Sequence, residues 1–361
     1  MEETKTCATK MKANKKPQRN VQQHFVTAAY LAGFTPDGSR GSQLYVYERS
    51  TQKMFRSVPD EAAKRRNYYS APLPEGGFDD TVDTMLTALE GQAMPSLQKL
   101  VAGDYNLTTF ERALLAFLIA FQEFRTPWTR QIFQKMQEDL TTSTMHMAAN
   151  QPGYFEKIFE ELKAKSESDG SVTPDQLRDA LREGRIRAKA QPHGDLHLIA
   201  AMGQQIGNIY TRMQWTVVRA MEGEFVTSDA PVVRRDPGFR GGLYGGGLFS
   251  PTAEVWFPLS KRVVMVITHD EPGEEKFFEL LAAGRRDEAE AVRRQLPPIR
   301  ERGAKRPLAE AINHQTVTSA DRFVFSPFES VEISTLLQGE SQNMRIVTSP
   351  PPPIRKKSER N

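Results

Sequence analysis

The sequence predicts an α+β protein in which a helical middle packs on a mixed β-sheet built from N- and C-terminal strands. Three observations carry that reading. Alternating and β-branched segments cluster at residues 43–58 and again after Trp215. Long stretches with helical periodicity and recognisable caps fill about residues 79–212. No period suggestive of a solenoid runs through the chain.

Taken in order, residues 43–49 alternate, residues 50–52 turn, and residues 53–58 return, which reads as a β-hairpin. Residues 60–66 read as a short helix, followed by a brief extended piece at Tyr68 and Tyr69. Asp79 or Asp80 caps a helix that runs to about Val101. Residues 107–125 form the strongest helix. Thr108 and Glu111 make a capping-box pair, apolar residues dominate its middle, and Pro127 stops it. Leu114, Leu115, Phe117, Leu118, Ile119 and Phe121 spread around more than one face, so this helix should be central and buried on most sides. Further helices follow over residues 127–148, 154–165, 174–183 with Thr173 as cap, and 195–212. Strands are expected at 215–219, 224–228, 254–259, 262–268 and 322–326, with helices at 273–285, 287–295 and 308–320 between them.

At 361 residues and 39% hydrophobic content the chain can bury a sizeable core. Its longest purely apolar run, residues 113–121, is less than half of a bilayer-spanning helix. The chain opens without a signal-peptide pattern, and Cys7 is its single cysteine, which excludes an internal disulfide and any multi-cysteine zinc site. These features predict a soluble protein of a reducing cytoplasm with no membrane partner. The net charge of +3 is unevenly spread. Residues 1–20 carry +4 and residues 348–361 carry +3, so the middle carries −4. Residues 1–20 and 348–361 are therefore expected to be unpacked basic tails flanking one domain over 21–347. Any non-specific nucleic-acid contact should reside in those tails.

Standard catalytic spacings are missing. There is no phosphate-cradling G-x-x-x-x-G-K-[ST] loop and no G-x-S-x-G elbow. His193 and His197 stand four apart, but Pro192 and Gly194 interrupt the helix such a metal pair would need. Asp229 and Glu254 fit part of a nuclease pattern, yet Trp256 occupies the place of its lysine. The glycine-rich stretch from Gly238 to Gly247 follows no strand-to-helix turn and reads as a lid or a linker.

What remains is a set of polar residues at the edges of apolar elements. Phe225-Val226-Thr227-Ser228-Asp229-Ala230-Pro231 sets a carboxylate and two hydroxyls at a strand end, because Pro231 cannot continue a ladder. His24 precedes an apolar segment, and Arg125 ends the best helix. As catalytic groups, His24 would act as general base or metal ligand and Arg125 would hold an anion. Asp229 would bind a divalent cation or orient His24. The structural alternatives are a packed histidine, a cation offsetting a helix C-terminus, and an Asx-type turn. Trp256 with Pro258 is expected to anchor the core, and Asn313 to bridge backbone.

The blocks His24-Phe25-Val26, Tyr30-Leu31, Leu44 to Tyr47, Asn67-Tyr68-Tyr69-Ser70, Arg125-Thr126-Pro127, Phe225 to Val233, Trp256 to Ser260, and Asn313 followed by Ala320 to Ser326 occur in a telling order. That order resembles a mainly bacterial family known as domain of unknown function 4238, from His24 to about Ser326. Thr27 departs from it, standing where relatives often have proline. The resemblance implies architecture and no settled activity. Two readings of function follow. The first is a hydrolase or nuclease-like enzyme on a phosphorylated or nucleic-acid substrate, with His24, Arg125 and Asp229 converging beneath the glycine-rich loop. The second is a non-catalytic binding or sensing module held together by the same groups.

Overall fold

A computed structural model describes residues 21–151, 153–165, 172–190, 193–238, 247–248 and 250–339. The two basic tails and most of the glycine-rich stretch lie outside the described residues, and so does the lid or linker reading attached to that stretch. The N-terminal part contains β1 (Gln22–His24), α1 (Ala28–Ala32), β2 (Leu44–Glu48), β3 (Lys53–Ser57), β4 (Lys64–Arg66), β5 (Ala71–Pro72) and β6 (Phe78–Asp79). The helical middle follows with α2 (Thr81–Ala102), α3 (Thr109–Phe124), α4 (Pro127–Ala149), α5 (Tyr154–Lys165), α6 (Pro174–Arg182) and α7 (Leu196–Arg212). Then come β7 (Gln214–Ala220), β8 (Thr227–Ser228), β9 (Val233–Arg235), β10 (Glu254–Ser260) and β11 (Val263–Thr268). The described chain ends with α8 (Glu271–Ala282), α9 (Arg286–Arg294), β12 (Arg300–Ala304), α10 (Arg306–Ser319), β13 (Phe323–Ser326) and α11 (Val331–Leu336).

The fold is α+β, as the sequence predicts, but its strands divide between two main sheets where one mixed sheet from both ends of the chain is expected. One has the order β12-β7-β11-β10-β9 and is mixed, because β12 runs parallel to β7 while the other pairs are antiparallel. The other, β3-β2-β13-β8, joins the two ends of the chain, with Glu48 opposite Phe323 and Tyr45 opposite Ser326. Side chains alternate across the five-stranded sheet as strand geometry requires. Val217, Val263, Met265 and Ile267 face the core shared with α2, α3 and α7, whereas Val218, Val264 and Trp256 pack with Ala309 and Ile312 of α10. Trp256 is thus a core anchor.

Helix α3 lies at the centre. Thr108 accepts from the Glu111 amide and Glu111 reaches back to Thr108, completing the capping box. Leu115, Leu118, Ile119 and Phe121 are buried. Helix α7 packs on α3 through two glycines. A Cβ on Gly203 would lie 2.6 Å from the Phe121 ring, and one on Gly207 would lie 2.2 Å from the Phe117 ring. Hydrogen in place of a methyl lets two aromatic rings of α3 sit against the α7 backbone.

Two local expectations change. Residues 60–66 have the composition of a helix, but Lys64–Arg66 is a strand paired antiparallel with β1 (His24 opposite Lys64, Gln22 opposite Arg66). Ala63 turns into it at φ 52°, so non-local pairing overrides helix propensity. The strand expected at residues 224–228 shortens to Thr227–Ser228, since it pairs only with β13 through Thr227 and Ser228.

Candidate functional site

The end of β1, the start of α1 and one face of α2 enclose a cleft of about 370 Å³ whose lining includes His24, Tyr69, Asp83, Glu90 and Arg125, with Arg40 at its rim. The sequence places these groups by simple means. Antiparallel pairing fixes β1 on β4, and the buried Gln23 locks the ribbon to the next segment. Its side chain donates to Ser70 Oγ at 2.8 Å and accepts from the Tyr69 amide at 2.6 Å. Asp83 and Glu90 are seven residues apart on α2, two helical turns, and so share the face toward the cleft.

His24 is half-buried, and its Nε2 lies 3.2 Å from the Asp60 carbonyl oxygen. A carbonyl only accepts, so the proton sits on Nε2 and Nδ1 is the basic nitrogen of the neutral ring. Burial lowers the imidazole below its ordinary value, with Lys64 adding to the effect, while the Asp60 carbonyl and Glu90 oppose it. Asp83 moves the other way. Burial raises it, helped by the nearby Asp80 and Glu90 charges and resisted by a hydrogen bond from Gln23. In one cleft, burial thus lowers a histidine and raises a carboxyl from their ordinary values.

Arg125 is the C-cap of α3 and is 1% exposed. Its guanidinium donates to Glu90 and to Gln122 Oε1, the Nε contact being 3.0 Å. Gln122 in turn donates to the Phe25 carbonyl at 2.8 Å, and Tyr68 donates to the Arg125 carbonyl at 3.1 Å. Burial is the largest influence and works against the Arg125 charge, but Glu90, Tyr69 and Tyr68 together outweigh it and hold the guanidinium above its ordinary range. Arg125 thus orients Glu90 at the cleft wall. Arg40 pairs with Asp60 in the open, its Nε 2.8 Å from the carboxylate.

Asp229 is not among the residues that line this cleft. It is 1% exposed and sits at the end of β8. Its carboxylate accepts three main-chain amides: Asp321 at 3.0 Å, Arg322 at 2.8 Å and Phe323 at 3.0 Å. Burial and the neighbouring Asp321 push the carboxyl up to about 7, against the three amides, which favour the ionised form. Ser228 Oγ accepts from the Ala230 amide at 3.2 Å, closing the turn before Pro231. Of the three expected catalytic residues, the structure brings together His24 and Arg125.

Several other readings find their places. Asn313 bridges backbone, accepting from the Val226 amide at 3.0 Å and donating to the Glu224 carbonyl at 2.9 Å. His193 stands outside α7 at φ 63°, 3.5 Å from Arg130, so the four-residue spacing to His197 is not a helical one. Glu254 is engaged by Trp256 Nε1 at 2.9 Å and by Arg235 at 3.5 Å. Among the described residues, no group of three or more His, Cys, Asp or Glu is placed to hold a metal ion. No described helix is long and apolar enough to cross a membrane. Sequence reasoning missed Asp83, Glu90 and Tyr69. Their signal was weak: carboxylates at a seven-residue spacing on a helix look like a solvated face until the segment lining the cleft with them is known.

No curated protein matches the chain, and no solved structure does. A family model described as "Protein of unknown function (DUF4238)" matches residues 22–328. That span includes β1, the whole helical middle and both sheets, and hence every residue of the cleft. The chain belongs to the DUF4238 family of proteins of unknown function.

Proposed function

We propose that the protein is a hydrolase-type enzyme acting on a phosphorylated or nucleic-acid substrate by acid–base chemistry in the His24 cleft. The observation that carries this reading is the meeting of His24, Asp83 and Glu90 in one concave site with Arg125 locked behind it. His24 Nδ1 takes a proton from the attacking water. Asp83, its carboxyl raised from the ordinary value by burial, passes a proton to the leaving oxygen as the ester bond breaks. Arg40 meets the anionic group at the rim, and Arg125 keeps Glu90 in register beside the histidine. Nucleic-acid affinity of the basic tails, at residues 1–20 and 348–361, would serve recruitment and lies apart from this chemistry.

The test is a panel of p-nitrophenyl phosphate mono- and diesters, single-stranded DNA and RNA, each assayed with magnesium, with manganese and with chelator. Replacing His24 with Ala should lower the turnover found by about 10²–10⁴-fold with the melting temperature preserved. Turnover that survives His24→Ala would remove the assignment.

One observation favours a non-catalytic module instead. Asp229 has both carboxylate oxygens committed to backbone, the arrangement of a scaffold residue. Thermal unfolding separates the two readings. Large losses in Asp229→Ala and Arg125→Ala, with no activity in the panel sensitive to His24, would favour the module.

A further inference from the structure

A second cleft lies far along α3 from Arg125, sharing no lining residue with the His24 cleft. It is bounded by the first turn of α3, the last turn of α7 and the segment that follows α9, and it encloses about 520 Å³. That is within the range of small-ligand sites. Its floor is Arg112, 4% exposed, whose guanidinium stacks 4.5 Å from the Trp215 ring. Three of the five N–H groups of this arginine donate to main-chain carbonyls: Thr211 at 2.9 Å, Met213 at 2.7 Å and Pro297 at 2.6 Å. None of these partners carries a net charge. An arginine this buried is ordinarily paired with a carboxylate.

The rest of the cleft does not supply one. Arg212, Arg293 and Arg294 also line it, and among its described lining residues there is no Asp or Glu. Arg293 has a loose pair with Glu290 at 3.6 Å, outside the lining. Asp270 is the acidic group whose charge reaches Arg112, and it too lies outside. The three outer arginines stand in the last turns of α7 and α9, where each helix end offers only about half a negative charge. Four arginines thus line one concave space that holds no described acidic residue, although Arg293 also reaches Glu290 and lies 5.8 Å from the Phe277 ring.

We propose that this cleft binds a small phosphate-bearing anion of the pyrophosphate or polyphosphate-ester class. Guanidinium forks match phosphate oxygens in pairs, and a compact polyanion would meet several at once. The cations ring a concavity, which suits a small ligand better than an extended nucleic-acid backbone. This site is independent of the His24 chemistry, so either reading can fail alone.

The experiment is calorimetric titration of the full chain with sodium pyrophosphate at low and high salt. Saturable binding to one site per chain is expected, weakening with salt. An Arg212→Gln/Arg294→Gln double variant, changed only at exposed positions, should weaken binding at least about tenfold at unchanged melting temperature. An Arg65→Gln/Arg66→Gln variant, altered on the β1–β4 ribbon, should bind as the parent does. Absence of saturable heat, full binding in the first variant, or equal loss in the second would overturn the proposal. So would single-stranded DNA binding that the first variant abolishes when pyrophosphate shows none.

Discussion

Arg112 and Arg125 stand at opposite ends of the same helix, both with little exposed surface, and are held in opposite ways. Arg125 meets a carboxylate, Glu90, and its charge is reinforced. Arg112 meets three carbonyls, and burial pulls it down to about 10 with only a distant raising influence from Asp270. Hydrogen bonding and charge balance are therefore separate requirements. Carbonyls satisfy the donors of a buried guanidinium, but only an anion answers its charge. At Arg125 the protein provides that anion itself; at Arg112 it leaves the charge open toward a cleft.

The comparison depends on α3 as a common support, so the largest effect comes from removing it. Leu118→Asp buries an unpaired charge at a 3% exposed position and should abolish cooperative unfolding by circular dichroism. A smaller loss, about 3–5 kcal/mol in denaturant titration, is expected for Arg125→Met, because Glu90 and Gln122 are left behind without their partner. The double variant Arg125→Met/Glu90→Gln should recover part of that loss; a purely additive result would show that the pair is not coupled. Arg112→Met should cost less, about 1–3 kcal/mol, since water from the adjoining cleft can reach the abandoned carbonyls. Equal losses at the two arginines would show that the carboxylate partner makes no difference to how a buried guanidinium is held.

The smallest effect concerns His24. Its folded-state value lies below the ordinary 6.5, so the unfolded chain binds the proton more readily. Its contribution is present above pH 6.5 and is lost as pH falls through that value toward the folded one. Solvent screening at a half-buried ring limits the amount to less than about 1 kcal/mol. His24→Gln should flatten the stability profile in that window and leave it unchanged above pH 8. A flattening confined to alkaline pH would show that the sign is wrong.

What the sequence disclosed, and what it withheld, follows the range of the interactions involved. The caps of α3 and α6 were readable because Thr108 with Glu111 and Thr173 with Gln176 act within one turn. The β4 strand was not, because only pairing with β1 makes Lys64, Arg65 and Arg66 extended. The same holds at the cleft. His24 and Arg125 stood out as polar residues at the ends of apolar runs, whereas Asp83 and Glu90 acquire a role only when the distant segment of His24, Thr27 and Ala28 comes to line the same cleft. Asp229 stood out by the same local criterion, yet the three amides that saturate it come from a segment more than 90 residues later. Local prominence selects positions; long-range geometry decides their use.

The pairing of β2 with β13 has a consequence for biosynthesis. Arg322, just before β13, reaches Glu48 across 274 residues, and β13 is among the last described parts of the chain to leave the ribosome. Until β13 emerges, β2 waits with one edge unpaired. At roughly 5–20 residues per second, that wait lasts on the order of 15–60 seconds. A nascent chain stalled before residue 323 would therefore present a sticky strand edge to chaperones or to neighbouring chains. Release of a trigger-type holdase should coincide with synthesis of the last sixth of the sequence.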